Sequence, residues 1–194
     1  MRKVKVERKT KETDISLSMN LDGKGKHVIE TSIPFLDHML SLFSFHSQID
    51  LDIRASGDTE IDYHHLMEDL GIVFGEAIKK ALGDKGGIRR YGNSTVPMDE
   101  SIGQVVIDLS GRPYLVYKVK QPRGSLRGLE VSLFEDFFRS VTNHAMLNLH
   151  IIVSYGRDLH HIFEAIFKAF GRSLRDAVSM DPSMKGLPST KGKL

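Results

Sequence analysis

The stretch His64-His65-Leu-Met-Glu68 recurs 96 residues later as His160-His161-Ile-Phe-Glu164. Each copy opens a segment whose apolar residues have helical spacing, and each follows an acidic turn, Gly-Asp in the first copy and Gly-Arg-Asp in the second. Adjacent histidines followed by a carboxylate are suitable ligands for metal ions. Two copies of this HHxxE motif in one chain predict a duplicated fold that holds two coupled metals.

Helix geometry explains why one motif predicts contacts with two ions. Successive residues on an α-helix point about 100° apart, so His64 and His65 diverge and face different ions. Glu68 lies one turn further along and shares a surface with either histidine. Imidazole and carboxylate without thiolate favour Mn, Fe, Zn or Ni, and water-rich octahedral coordination favours Mn or Fe. The alternative is that each histidine pair caps its helix and pairs with its own glutamate.

The composition excludes several classes of function. The chain has 194 residues and a net charge of +2, with 27 basic and 25 acidic residues. This balance gives no electrostatic basis for binding nucleic acid or an anionic membrane. No apolar run approaches the roughly 20 residues of a transmembrane helix, and the N-terminal segment has no apolar signal region. Cysteine is absent, which excludes disulfides and thiolate ligands, and a cytoplasmic location is expected.

Periodicity predicts the same order of elements in both halves. The first half has a strand or hairpin over 3–21, a turn over 21–27, a strand over 28–35 that Pro34 stops, a helix over 36–47, a strand over 48–57 and the motif helix 64–82, ended by Gly83. The second half has a hairpin over 104–119 with Ser-Gly-Arg-Pro as its turn, a helix over 131–146, a strand over 147–156 and the second motif helix. The region 83–100 is the predicted joint.

Strands grouped before helices, twice, predict an α+β fold in which each half is a sheet with helices on one face. We predict repeat units at 1–92 and 93–180 within one catalytic domain, followed by a tail at 181–194. The tail is rich in Pro, Gly, Ser and Lys, a composition typical of a frayed terminus.

The repeat also indicates where further ligands lie. Aligning FLDHML (35–40) with LFEDFF (133–138) places His38 opposite Asp136. If His38 is a ligand, Asp136 is its counterpart, a carboxylate able to bind the same hard ion. His46, His144 and His150 are weaker candidates, for which ordinary packing or surface roles are the alternative, and His144 is out of register with His38.

Six long motifs extend the pattern over almost the whole chain: DHML (37–40), DYHHLMEDLGI (62–72), PMDE (97–100), DLSGRP (108–113), GRDLHHIFEAIFKAFGRSLR (156–175) and STKG (189–192). With RKTKETDISL near the N-terminus, they make the chain resemble the imidazoleglycerol-phosphate dehydratase family of histidine biosynthesis. The resemblance implies removal of water from D-erythro-1-(imidazol-4-yl)glycerol 3-phosphate. It further implies two manganese ions per active site and tandem βα units like the second domain of ribosomal protein S5. The implied assembly is a hollow homo-oligomeric 24-mer, built from trimers with sites between subunits.

The resemblance also implies two ligand sets drawn from different subunits. One manganese would be held by His38, His65, Glu68 and His161, and the other by His64, His160, Glu164 and residue 136. The family commonly has histidine at 136, where this chain has Asp136, which leaves open whether that position binds metal directly.

Further roles carry over from the same resemblance. Direct roles in catalysis fall to Glu12, His65, Glu68, His161 and Glu164. The side chains expected against the substrate are Glu12, His38, His46, His64, His65, Glu68, Arg90, Arg112, His160, His161, Lys168, Ser189 and Lys191. Arginine offers a planar fork for phosphate, and Ser189 and Lys191 add donors. The tail is therefore expected to order over bound phosphate, against the composition-based prediction.

Glu12 is the predicted general acid/base, because it is the one matched acid not assigned to metal. The alternative is a hydrogen bond from a substrate hydroxyl to Glu12. Two other functions are open: a two-metal phosphoester hydrolase, which the same ligands and basic residues would suit, and an S5-like RNA-binding protein, which the near-neutral charge disfavours. The segment Gly83–Gly87 lacks the spacing of a phosphate loop and is predicted to be a plain loop.

Overall fold

The computed structural model describes residues 2–120 and 124–194. Residue 1 and residues 121–123, which fall within the first and second predicted repeat units, lie outside the described residues. The first half contains β1 (Lys3–Lys9), β2 (Thr13–Asn20), β3 (His27–Glu30), α1 (Pro34–Ser47), β4 (Asp50–Gly57) and α2 (His64–Leu82). The second half contains β5 (Tyr91–Met98), β6 (Ser101–Asp108), β7 (Tyr114–Val119), β8 (Ser125–Leu126), β9 (Leu129–Glu130), α3 (Leu133–Ala145), β10 (Asn148–Tyr155) and α4 (Leu159–Val178).

The two halves have the same sheet topology. The first sheet has the order β1-β2-β4-β3 and the second the order β5-β6-β10-β7. In each sheet the first three strands pair antiparallel and the last strand pairs parallel to its neighbour. The parallel pair needs a crossover, which α1 provides in the first half and α3 in the second. This correspondence confirms the predicted duplicated α+β fold.

Two local predictions were wrong, and the predicted joint between the halves was too wide. Residues 104–119 do not form a hairpin, because β6 and β7 each pair with β10, which lies between them. The predicted joint contains the strand β5, whose Pro97 is tolerated because β5 is an edge strand with one pairing partner. Pro34 begins α1 instead of stopping a strand, since proline lacks the N–H that the first turn of a helix leaves unpaired.

The helices cross between the halves and fuse them. The helix α2 packs on the first sheet and α4 on the second, while α3 packs against α2 and α1 against α4. At the centre, the Phe43 ring of α1 lies 5.2 Å from that of Phe74 in α2 and 4.9 Å from that of Phe170 in α4, centroid to centroid. One shared apolar core therefore lies between the two sheets. No helix within 2–120 or 124–194 combines the length and apolarity that crossing a bilayer requires.

Glycines set the closeness of these crossed helices. A Cβ added at Gly71 of α2 would lie 2.6 Å from the Phe137 carbonyl oxygen of α3, and one at Gly171 of α4 would lie 2.7 Å from the Phe43 carbonyl oxygen of α1. Both neighbours are helix backbone, which moves only with its whole helix. These contacts fix where α1 lies along α4 and where α3 lies along α2. The positions of His38 on α1 and Asp136 on α3 therefore depend on them.

Replacing Gly71 by alanine should destabilise the protein although alanine favours helices. The helix propensity gain is about 1 kcal/mol, whereas overpacking a close-packed core costs about 1–3 kcal/mol. We expect a lower melting temperature in thermal unfolding followed by circular dichroism. Lys79→Ala, on the exposed side of the same helix, should leave it nearly unchanged. A Gly71→Ala protein as stable as the wild type would show that the α2–α3 contact is loose.

Candidate metal centre

Both HHxxE motifs lie at the start of a helix that covers a sheet. In α2 the His64 N–H donates to the Asp62 carboxylate over 2.7 Å, and in α4 the His160 N–H donates to the Asp158 carboxylate over 2.8 Å. These aspartates satisfy a backbone donor that the helix itself leaves free. The histidines themselves do not cap their helices, which argues against the first part of the alternative. Its second part, pairing with the glutamate of the same motif, is present at His160, whose Nε2 lies 3.1 Å from Glu164.

Within each pair the two imidazoles point in different directions. The rings of His64 and His65 lie 6.1 Å apart at 76°, and those of His160 and His161 lie 6.2 Å apart at 85°. This is the divergence that the helix geometry predicted. The first histidine of each pair faces the glutamate one turn along, whereas the second faces an acidic loop.

The second motif forms a cluster with α1. His38 Nε2 lies 2.9 Å and His160 Nε2 3.1 Å from the same oxygen of Glu164, Oε1, and Lys168 Nζ donates to Glu164 Oε2 over 2.6 Å. Suitable ligand atoms of His38, His160 and Glu164 all lie within 4.8 Å of one another. Among residues 2–120 and 124–194, this is the single group of three or more such side chains that meets a metal-site geometry.

The Glu164 carboxylate is held in its charged form. Burial by itself would raise its pKa, but hydrogen bonds from Lys168, His38 and His160 outweigh burial and lower the pKa to about 2. The side chain is 9% exposed. A buried, ionised carboxylate between two imidazoles is the donor set expected for a divalent cation such as Mn²⁺, so the residues fit the metal that the family resemblance implies.

The first motif is more open. His64 Nε2 lies 3.6 Å from Glu68 Oε2, and both side chains are about half exposed. His64 lines a groove together with Leu133, the first residue of α3. Asp136 lies on the first turn of α3 and is half-buried. The helix bearing Asp136 thus approaches the first motif, as the helix bearing His38 approaches the second.

The side chains that this packing groups within one chain differ from the two expected ligand sets. Within one chain, His38 joins His160 and Glu164, whereas the resemblance assigns His38 to the other ion with His65, Glu68 and His161. The structure does not bring this second set, His38 with His65, Glu68 and His161, together within one chain. His65 and His161 lie instead against carboxylates of their own halves, Asp58 and Glu100.

Those carboxylates raise the pKa of both histidines. A hydrogen bond to Asp58 raises the pKa of His65, and one to Glu100 raises the pKa of His161. Backbone N–H donors, chiefly that of Asp158, and His161 together hold the pKa of Glu100 far below its usual range. Sequence analysis did not assign roles to Asp58 or Glu100. The acidic turn before the first motif and the PMDE stretch were the available signals.

A second constellation lies near the C-terminus. A pocket of about 470 Å³, here called the tail pocket, brings together four of the five residues expected to make polar and phosphate contacts. The fifth, Lys168, lies instead at Glu164 in the cluster. The residues that line the tail pocket are Arg90, Tyr91, Ser110, Gly111, Arg112, Ser189, Thr190, Lys191, Lys193 and Leu194. Arg90 is fixed by Asp108, 2.7 Å from its Nε, and donates to the Pro188 carbonyl. The pocket is lined by cationic side chains that suit a phosphate group.

The tail itself is held by backbone hydrogen bonds. Gly87 N–H donates to the Gly186 carbonyl and Asp181 N–H donates to the Gly87 carbonyl, each over 2.8 Å. The composition-based prediction of a frayed terminus is therefore wrong, because backbone pairing with the 84–90 loop, not side-chain burial, fixes the tail.

The cluster and the tail pocket do not include His46, Glu12 or His144. His46 is half-buried on α1, and burial together with the charges of Lys168 and Arg172 lowers its pKa. Glu12 lies in the turn between β1 and β2, with its Oε2 4.0 Å from His65 Nδ1 and its side chain 54% exposed. His144 Nδ1 donates to the Ser140 carbonyl of its own helix, outside the site.

A family model described as imidazoleglycerol-phosphate dehydratase matches residues 31–174, which include both HHxxE motifs. The chain belongs to the imidazoleglycerol-phosphate dehydratase family. The matched span covers His38, Glu100 and Lys168 as well as the motifs, whereas Glu12 and the tail pocket's C-terminal residues lie outside it.

Full-length relatives extend the match to both ends. The imidazoleglycerol-phosphate dehydratase of Thermodesulfovibrio yellowstonii is 55% identical over 192 residues, covering 99% of each chain. That of Geobacter sulfurreducens is 53% identical over 193 residues, covering 100% of this chain and 99% of the relative. The family likeness therefore includes the Glu12 turn and the C-terminal tail.

Two solved structures of imidazoleglycerol-phosphate dehydratases have the same fold. The Staphylococcus aureus enzyme is 38% identical with a TM-score of 0.83, over 92% of this chain and 99% of that one. The Pyrococcus furiosus enzyme, solved in complex with (S)-C348, is 36% identical with a TM-score of 0.84, over 97% of this chain and 100% of that one.

Proposed function

We propose that this chain is the dehydratase that converts D-erythro-1-(imidazol-4-yl)glycerol 3-phosphate into 3-(imidazol-4-yl)-2-oxopropyl phosphate and water in L-histidine biosynthesis. The observation that carries the proposal is identity of 55% with a dehydratase of that name over 99% of both chains. The imidazole–carboxylate cluster and the cationic tail pocket match the two ends of such a substrate, its imidazole ring and its phosphate.

The proposal includes two Mn²⁺ ions per active site. The ligands available to them are His38, His64, His65, Glu68, Asp136, His160, His161 and Glu164, all nitrogen or oxygen donors and none a thiolate. Two bound cations would supply Lewis acidity toward the substrate's ring nitrogen and oxygen. Lys168 already neutralises one oxygen of Glu164, so it would limit the negative charge that the ligands accumulate.

The chain's own side chains would handle protons and phosphate. The hydroxyl on the carbon next to the imidazole leaves as water, the neighbouring carbon loses its proton, and the resulting enol becomes the ketone. Glu12, half exposed and held near His65 by its turn, is positioned to move these protons. Arg112, Ser189 and Lys191 would hold the phosphate, so that the reacting carbons lie at a fixed distance from it.

The active sites would form between copies of the chain. The tail pocket contains no HHxxE residue, and the second histidine of each motif does not lie within the His38, His160 and Glu164 cluster. Ligands from neighbouring subunits would complete the cluster, and metal-binding residues of a neighbouring subunit would complete the tail pocket. We propose the 24-mer of trimers that the family resemblance implies, located in the cytoplasm.

Product analysis tests the activity. Incubating the Mn²⁺-loaded enzyme with imidazole glycerol phosphate should give a ketone that keeps its phosphate, identified by mass spectrometry as loss of one water. The competing function, a two-metal phosphoester hydrolase, would release inorganic phosphate instead. Phosphate release without the ketone would overturn the proposed function.

Replacing Arg112 by alanine should weaken substrate binding more than turnover. Its side chain is exposed at the tail pocket, and a hydrogen bond between charged partners contributes about 1.5–3 kcal/mol. We expect KM to rise about 10- to 100-fold with a smaller change in kcat. Arg54→Ala, on the outer face of the first sheet, removes the same charge and should leave KM unchanged. An unchanged KM for Arg112→Ala would exclude the tail pocket as the phosphate site.

Removing the metal should reduce the size of the assembly. If ions are held by ligands from different subunits, metal binding and assembly are thermodynamically linked. Light scattering after treatment with a chelator should give a smaller molar mass, and adding Mn²⁺ should restore the larger one. An unchanged mass in protein shown by elemental analysis to be metal-free would contradict sites shared between subunits.

A further inference from the structure

The duplicated fold makes Glu12 and Glu100 counterparts. Glu12 lies in the turn between β1 and β2, and Glu100 lies in the turn between β5 and β6, the equivalent pair of strands in the second half. Each carboxylate approaches Nδ1 of the second histidine of the motif in its own half, His65 or His161. The two glutamates nevertheless have different surroundings.

Glu100 is fully engaged by its own half. Its Oε2 lies 2.8 Å from His161 Nδ1, and its Oε1 accepts from the N–H groups of Arg157 and Asp158 over 3.2 and 2.7 Å. A charged carboxylate can only accept, so Nδ1 of His161 is the protonated nitrogen. The lone pair of the neutral His161 ring is therefore on Nε2, which lies 3.8 Å from the Asp99 carboxylate, beyond hydrogen-bond distance, and is available to a metal.

In the first half a different residue makes this contact. Asp58 Oδ2 lies 3.0 Å from His65 Nδ1, whereas Glu12 Oε2 lies 4.0 Å from the same atom. The Asp58 N–H also donates to the Glu12 carbonyl over 3.1 Å. Asp58 thus lies between the Glu12 turn and His65, and takes the position at the imidazole that Glu100 has in the second half.

The second half has no carboxylate at the position of Asp58. Asp58 directly follows Gly57, and the counterpart of Gly57 is Gly156, because each glycine lies against the residue that follows the second histidine of its motif and against the first residue of the strand after the turn glutamate. Gly156 is followed by Arg157, which is exposed and whose guanidinium only donates hydrogen bonds. The second half therefore uses its turn glutamate to orient the histidine, and the first half does not.

We propose that Glu100 and Asp58 are positioning residues that fix His161 and His65 with Nε2 unprotonated, and that Asp58 does so in place of Glu12, leaving the Glu12 carboxylate free for the substrate. The last clause rests on the proposed function. In the second half the turn glutamate, Glu100, is bound to the proposed ligand His161. In the first half the turn glutamate, Glu12, is not needed for this contact.

Manganese binding to the metal-free protein tests the positioning roles without any turnover. Loss of a carboxylate that orients a ligating histidine costs about 10- to 100-fold in metal affinity. Glu100→Gln should weaken Mn²⁺ binding by that factor in a calorimetric titration, because the amide keeps an acceptor for the loop N–H groups but not the charge at His161. The control is Glu60→Gln, which removes an exposed carboxylate two residues after Asp58. This variant should bind Mn²⁺ like the wild type.

If Asp58 takes the place of Glu12 at His65, removing both carboxylates should lower Mn²⁺ affinity by more than the two single effects combined. Glu12→Ala alone should leave Mn²⁺ affinity unchanged, and Asp58→Ala alone should lower it only about three- to tenfold, because Glu12 can close the remaining distance to His65. The double variant should lose about 10- to 100-fold. Asp58→Asn, which keeps the shape and one acceptor, should give an intermediate affinity, and it replaces Asp58→Ala if that variant does not assemble.

Turnover separates the two parts of the proposal. Asp58→Ala should lower kcat about tenfold or more, because Glu12 is drawn to His65 and away from the substrate. Wild-type Mn²⁺ affinity in Glu100→Gln, or additive effects of Asp58→Ala and Glu12→Ala, would overturn the positioning roles. If the affinities behave as expected but Glu12→Gln turns over normally, the fault lies with the proposed chemistry of Glu12 and not with the positioning by Asp58.

Discussion

A His65→Ala protein is expected to lose bound manganese and activity together. Asp58 holds Nδ1 of His65 over 3.0 Å and leaves Nε2 for a metal. Alanine would therefore remove a proposed metal ligand and leave the Asp58 carboxylate without that donor. Losing an outer partner of a ligand costs about 10- to 100-fold in affinity, and losing the ligand itself should cost more than about 100-fold. Elemental analysis after desalting should find a reduced Mn²⁺ content, and kcat/KM should fall by at least the same factor.

The control is a histidine outside both motifs. His27 lies on β3, where its ring contacts the Gly25 carbonyl, and His27→Ala should keep both manganese and activity. Excess Mn²⁺ should recover little activity in His65→Ala, because the missing donor fixes the position of the ion as well as its affinity. A His65→Ala variant that retains its manganese and its activity would break the ligand assignment.

Glu12→Gln should lose turnover far more than substrate binding. A positioned general acid or base contributes about 10²–10⁴-fold to the rate, and the amide keeps the size of the side chain while removing its ability to take a proton. We expect kcat to fall within that range, with KM changed by less than threefold or so. Manganese content should equal that of the wild type, because Asp58 and not Glu12 holds His65.

Glu7→Gln provides the matched control. Glu7 is exposed on β1, five residues before Glu12, and its carboxylate pairs with Lys5. Removing its charge should leave kcat unchanged. Normal turnover in Glu12→Gln would remove Glu12 from the proton transfer and leave it a hydrogen-bonding partner of the substrate, the alternative that the sequence left open.

The repeat was predictable because its signals are local. The spacing of His64, His65 and Glu68 states which side chains share a helix face, and the same spacing at the second motif states that the arrangement occurs twice. The observed ring angles of 76° and 85° agree with that reasoning. The α+β class followed from grouped strand and helix periods, which also depend on near neighbours in sequence.

Errors arose where pairing is not local. The strand β10 inserts between β6 and β7, and nothing in residues 104–119 reports the presence of a strand that begins at Asn148. The edge position of β5, which makes Pro97 acceptable, depends equally on which strands lie beside it. The tail looked frayed because its composition is that of a loop, whereas backbone hydrogen bonds to Gly87 hold it in place.

The sequence by itself determined the family of this protein, its division into two equivalent halves and the nitrogen and oxygen donors that are proposed as ligands, since residue types and short spacings carry all three. The tertiary structure decided which groups meet. His38 reaches Glu164 across 126 residues of chain because close glycine contacts let α1 pack on the α4 of the other half. Asp58 rather than Glu12 holds His65 because two loops happen to converge there, and such convergence is a property of packing that no local pattern encodes.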